Sequence, residues 1–188
     1  MSFWTENNFE PKRAFRFKMN LGYGEYEESI PYFYLKNAKK PSFEIATTTH
    51  KVAGREFNFP GSIKWMDTTV TLIDDTQNSV LKKLLSVVRE SNYPDIIKGQ
   101  TSFFPDGQVK FISKEKSTKN LTGIRSNGAA SFTVEQLDAE GNVVEAWSMY
   151  NPFIYKMEQS DVDYDKEDIN TITLTIKYDW ANFEDLAV

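Results

Sequence analysis

The sequence predicts a mainly β fold carrying one amphipathic helix. Three features carry that reading. Aromatic residues make up 14% of the chain, with 14 Phe and 9 Tyr, a bias that suits pleated, half-buried surfaces. The segment INTITLTIKYDW alternates strictly, with Ile172, Leu174, Ile176, Tyr178 and Trp180 set against Thr171, Thr173, Thr175, Lys177 and Asp179. A single segment, DDTQNSVLKKLLSVVRES, follows the helical period instead. A chain of 188 residues is long enough for one domain with a real core. With no internal repeat and no dividing linker, residues 1–188 are expected to form one domain.

The elements follow in chain order. RAFRFKMNL places Phe15, Phe17, Met19 and Leu21 opposite Arg16, Lys18 and Asn20, and predicts a first strand. GYGEYE, with Gly22 and Gly24, reads as a turn, and PYFYLKN reads as the partner strand after it. SFEIATTTHKV predicts another strand. VAGREFNFPGSIKW then reads as a long excursion, because Gly54, Pro60 and Gly61 punctuate it. IKWMDTTVTLID resumes the strand pattern, with Val70 and Leu72 on one face and Thr69, Thr71 and Ile73 on the other. The helix is expected over about residues 77–91. Val80, Leu81, Leu84, Leu85 and Val88 form its apolar stripe, Asp74, Asp75 and Thr76 are cap candidates, and Pro94 lies past its end. SFFPDGQVKF suggests a hairpin around Asp106-Gly107, and ISKEKSTKNLTGIRSNGAA a basic loop. ASFTVEQLDAEGNVVEAWSMYNPFIYKMEQ reads as a hairpin turning at DAEGN, with a second strand that is long or broken at Pro152.

Composition removes several classes of chemistry. There is no cysteine and one histidine, His50, so disulfide, thiolate and zinc or copper chemistry are not expected. No cofactor-binding or nucleophile motif occurs: GYGEYE lacks the third glycine and the helix of a dinucleotide site. Asp161, Asp163 and Asp165 match the first acidic positions of a calcium loop. Lys166 stands where that loop needs glycine, and Ile172 where it needs a bidentate glutamate. The reading is therefore not an enzyme, with no cofactor and no metal. A net charge of −5 argues against gripping nucleic acid by counterion release. MSFWTENNFEPKR is charged early and has no apolar signal core, and no apolar run approaches a membrane span, so a soluble chain without membrane insertion is expected.

The segment HKVAGREFNFPGSIKWMDTTVTLIDD, followed by the amphipathic helix, resembles the tail tube proteins of contractile-tailed bacteriophages. The matching features are Val52, Gly54 and Gly61 in the excursion, then Trp65, Thr69, Val70, Thr71 and Asp74. FRFKMNLG and the Thr-rich strand ending in YDW resemble the family's first and last strands, so the likeness spans roughly residues 13–182. The family is related in plan to the type VI secretion tube protein.

The resemblance implies a β-sandwich or barrel-like fold of the tail-tube type with one flanking helix. It implies a structural virion protein, located in the tail and assembled in the host cytoplasm. Rings of six copies would stack into a hollow tube through which DNA passes without specific binding. The implied partners are further copies of the chain, a tail sheath protein, a baseplate or initiator protein, and a tape-measure protein. Under this reading the stretch 52–62 is an inter-ring loop. Val52, Gly54, Arg55, Glu56, Phe57, Asn58, Phe59 and Gly61 are its candidate contacts, with the phenylalanines giving apolar area and the glycines permitting special backbone conformations. Thr69, Thr71, Thr171, Thr173 and Thr175 are candidates for a wet or lumen-facing strand face, and Lys110, Lys114, Lys116 and Lys119 for an outer contact. The rivals are a tube initiator that joins the baseplate, and a monomeric β-barrel carrier of a small apolar ligand.

Overall fold

The computed structural model describes residues 11–20, 32–90, 131–165 and 167–186. The predicted turn over GYGEYE, the hairpin at Asp106-Gly107 and the basic stretch with Lys110, Lys114, Lys116 and Lys119 lie outside the described residues.

Two four-stranded antiparallel sheets face each other across one core. The first runs β1 (Phe17–Asn20), β6 (Ser131–Leu137), β7 (Val143–Tyr150), β10 (Trp180–Asp185). The second runs β2 (Leu35–Ala38), β5 (Thr68–Ile73), β9 (Thr171–Lys177), β8 (Phe153–Gln159). Strands β3 (Phe43–Val52) and β4 (Arg55–Trp65) form a separate two-stranded ribbon. The mainly β sandwich with a helix predicted from the sequence is what the chain adopts.

Period-two alternation builds the core, as it must when one face of each sheet is buried. Met19, Phe132, Val134, Met149 and Ala181 come from the first sheet, and Val70, Leu72, Ile172, Leu174 and Ile176 from the second. The helix α1 (Ser79–Glu90) adds Val80 and Leu84 to this cluster. Its buried stripe is Val80, Leu84 and Val87, spaced four and three residues apart; Leu85 and Val88, expected in the stripe, are only half-buried. Asp75 caps its start by accepting the Ser79 amide at 2.7 Å and the Ser79 hydroxyl. Those bonds hold the Asp75 carboxyl below its ordinary pKa, the Ser79 hydroxyl contributing most. Among the described residues no helix is long and apolar enough to cross a membrane.

The chain changes sheets twice at one corner. After β7 it passes to β8 through Asn151-Pro152, where Asn151 takes a left-handed φ of 52°. After β9 it passes back to β10 through Tyr178-Asp179. The two crossings are tied: Asn151 Nδ2 donates to Asp179 Oδ2 at 3.0 Å, and the Asp179 amide to the Tyr150 carbonyl at 3.0 Å. The break expected at Pro152 is thus a sheet switch, enforced by an imino acid that cannot extend the ladder.

Three expectations are corrected. PYFYLKN opens with a 3-10 turn at Tyr32–Tyr34, and its strand pairs with β5 in the other sheet, not with β1. The alternation of β9 does not run on to Trp180: the strand ends at Lys177, and Trp180, largely exposed, begins β10. The predicted excursion after Val52 is not a loop. Its residues from Arg55 onward are the strand β4.

Candidate assembly surface

The ribbon β3–β4 is an outgrowth of the second sheet's edge. β2 and β5 pair there; the Lys39 amide then bonds the Thr69 carbonyl at 2.8 Å, and the Met66 amide bonds the Ser42 carbonyl at 2.9 Å. The Thr68 hydroxyl adds a bond to the Lys39 carbonyl. The paired chains then leave the sandwich as a ten-residue and an eleven-residue strand, a reach of about 30 Å at a strand's ordinary rise.

The tip answers why the chain needs no loop. Ala53 and Gly54 both have positive φ, 48° and 76°, the geometry of a two-residue hairpin turn with mirror-type twist. Val52 and Arg55 pair directly across it. Gly54 therefore does have the special backbone conformation expected of it. Gly61 does not: its φ is not positive, and it is small for another reason. A Cβ there would sit 3.0 Å from the Ala46 carbonyl oxygen. Gly61 lies where the register shifts, β4 carrying one residue more than β3.

Almost every residue of the ribbon is exposed, including its large apolar side chains. Phe57 is 48% exposed, Phe59 54% and Ile63 56%. The pairs Thr49–Asn58 (2.7 Å) and Lys51–Glu56 (2.5 Å) tie the arms together. Arg55, Glu56, Phe57, Asn58 and Phe59 are brought together on the distal half, with Val52 and Gly54 at the tip and Gly61 at the bulge.

The five threonines named from the sequence also converge. Thr69 pairs with Thr175, and Thr71 with Thr173, whose hydroxyls lie 3.5 Å apart; Thr171 pairs with Ile73. All five are half-buried on the face of β5 and β9 turned away from the core. Lys156 and Glu158 of β8, ion-paired at 2.7 Å, extend this polar face beside Thr175 and Thr173.

One polar cluster was not legible from the sequence. Glu145 on β7 is buried, yet its carboxylate receives the ammonium groups of Lys12 and Lys40 and the Trp147 indole N–H at 3.2 Å. Burial would raise its pKa, but hydrogen bonds from Lys12 and Lys40, with their charges, outweigh that and hold the carboxyl below its ordinary value. Gln136, buried beside it in the register, donates to the Arg13 and Arg16 carbonyls at 2.7 and 2.6 Å. Lys40 stands three residues before β3, so Glu145 ties the N-terminal segment and the root of the ribbon to one strand. No spacing in the sequence joins positions 12, 40 and 145. Asp161, Asp163 and Asp165 are exposed, and among the described residues no group of three or more His, Asp or Glu is placed to hold a metal ion.

No protein-family model matches the chain, and no curated protein matches it in sequence. Solved structures do match in fold. A chain of the sheath/tube terminator of an extracellular contractile injection system, PVC, in its extended state is 15% identical. It aligns over 94% of this chain and 98% of its own, with a TM-score of 0.61. A chain of the 6-fold symmetrised baseplate of the anti-feeding prophage is 11% identical over 96% and 99%, with a TM-score of 0.62. The SPP1 tail tube is 9% identical over 95% and 81%, with a TM-score of 0.53. The fold is therefore that of proteins from tubes, terminators and baseplates of tail-like machines.

Proposed function

We propose that this chain is a structural subunit that assembles with copies of itself into rings, six to a ring, stacked as the hollow tube of a contractile tail or a related injection machine. The observation that carries the reading is the β3–β4 ribbon: a long hairpin, apolar and exposed, within a fold shared with tube-system structures. A two-stranded ribbon alone is marginal in water, so a partner must cover it. A sheath outside, a baseplate or initiator at one end and a tape-measure protein in the lumen are the implied partners, the sheath supported by the likeness to a sheath-tube complex.

The lumen reading is supported by chemistry. A net charge of −5 and a threonine-rich strand face suit a wet wall along which DNA slides unheld. Residues 1–188 act as one domain in this proposal, in a virion tail assembled in the host cytoplasm. A second reading is a terminator or initiator of the same fold, favoured by the likeness to a tube terminator and to a tube-terminating cap.

Negative-stain electron microscopy of the purified chain across a concentration series tests this. Hollow tubes of uniform width support the tube subunit. Single rings that never stack support the terminator or initiator. A species that stays monomeric even with a baseplate fraction as seed overturns both and returns the small-ligand carrier.

A further inference from the structure

The ribbon's two faces can be assigned from its register. Residues directly opposed in an antiparallel pair share a face. One face therefore carries Phe43 opposite Trp65 and Ile45 opposite Ile63 at its root, then Thr49 opposite Asn58 and Lys51 opposite Glu56 towards its tip. The Phe43–Trp65 ring contact, with centroids 5.4 Å apart, fits that placement. The other face reads in reverse. At its root stand Glu44 and Lys64, and beyond the bulge come Thr48 opposite Phe59, His50 opposite Phe57 and Val52 opposite Arg55. The apolar surface thus crosses from one face to the other at the bulge where Ala46 meets Gly61.

We infer that the ribbon is clasped between two different copies of this chain, one covering the apolar root of the first face and the other the aromatic tip of the second. The inference rests on the proposed tube reading and deepens it. A single body lying on one face would cover one apolar patch, leave the other in water, and bury Lys51 and Glu56, or Glu44 and Lys64, against it. That arrangement sacrifices apolar burial and desolvates charge. Two bodies on opposite faces cover both patches and leave both charged pairs at the rims. Charges of both signs on each half of the ribbon fit a protein occupant and not a polyanion. Another copy is the occupant the chain can supply: among the described residues both outer edges of the ribbon are unpaired, and so are the β2, β8, β1 and β10 edges in the sheets.

The chain has no cysteine, so single reporters can be placed at will. Thr47 and His50 lie on opposite faces and both are exposed, Thr47 just beyond the apolar root of the first and His50 opposite Phe57 in the aromatic tip of the second. A T47C/H50C double variant, carrying a benzophenone maleimide on each thiol, is assembled as a minor fraction among unlabelled chains, irradiated and resolved on a denaturing gel. Each single-label variant is expected to give two-chain products. The double label is expected to give three-chain products, with peptides from T47C and H50C mapping to separate surfaces. Links from both positions to one chain, or back to the labelled chain itself, within intact assemblies overturn the inference and leave the tube reading standing. Unlabelled chains that never assemble overturn the tube reading and the inference with it.

Discussion

At the scale of single residues, the two ribbon glycines are small for different reasons, and substitution separates them. Gly54 has open space around its Cβ position but a φ of 76°, so Gly54→Ala carries a torsional cost of about 1 kcal/mol. Gly61 has no positive φ but has a backbone oxygen in the way, so Gly61→Ala must push the arms apart at the bulge by a few tenths of an ångström. Amide exchange is expected to quicken at the tip in the first variant and around residues 45–47 and 61–63 in the second. Identical patterns would refute the distinction. Glu145 supplies the pH dependence. Its folded pKa is depressed, so its contribution is fully present above the ordinary glutamate range near 4.3 and is lost as pH falls through the lower folded value. Glu145→Gln is expected to destabilise the chain by about 1–3 kcal/mol at neutral pH, as for hydrogen bonds to charged groups. It should also flatten the acid limb of a stability–pH curve. An unchanged acid limb would remove Glu145 from that role.

At the scale of elements, the proposed tube would give the ribbon a part in assembly and little part in folding. Its side chains contribute little to the core, because those beyond the root are already in water. Deleting residues 47–50 and 57–60 together removes four opposed pairs and keeps both the register and the Ala53-Gly54 turn. The shortened chain is expected to melt within about 4 °C of the parent, the shift that ~1 kcal/mol gives at this length. It should no longer form tubes in the microscope; normal tubes would show that the ribbon is dispensable. The same element explains what was legible in the sequence. β5, β9 and α1 could be read because each buries one unbroken face, as Val70 with Leu72, the Ile172–Leu174–Ile176 series and Val80 with Leu84 show. The ribbon could not. Phe57, Phe59, Ile63 and Trp65 keep a single period-two phase along the chain, yet the two pairs lie on opposite faces, because Gly61 and Ser62 face the single residue Ala46 between them. What has the look of a loop is the punctuation by Gly54, Pro60 and Gly61, and the change of face at the bulge leaves no mark on the alternation. The convergence of the Thr face was legible for the same reason as β9 itself. The sheet switch at Tyr178-Asp179 was hidden because Tyr178 and Trp180 continue the alternation in sequence while the chain leaves the sheet.

At the scale of the whole molecule, the described sandwich leaves more β edge open than a monomer usually tolerates. Among the described residues β1 and β10 bound one sheet, β2 and β8 the other, and the ribbon has two edges of its own. Open edges invite pairing, and a closed ring of copies removes them without the unlimited growth of a fibre within the sheet plane. The apolar core, by contrast, is largely formed within one subunit, since the central pairs β5–β9 and β6–β7 bury Val70, Leu72, Ile172, Leu174, Ile176, Phe132, Val134 and Met149, with Trp147 half-buried beside them. Assembly of the proposed kind should therefore redistribute protection unevenly. Hydrogen–deuterium exchange of monomer and assembly, compared at equal chain concentration, is expected to show unchanged slow exchange in β5, β9 and β7. It should show newly slow exchange in both arms of β3–β4 and in at least one edge strand of each sheet. Protection confined to the ribbon would mean that copies touch only through it and that the edges stay open. A uniform slowing that includes the central strands would mean that the subunit is not fully folded until it assembles, and the core described here would then belong to the assembly instead of the chain.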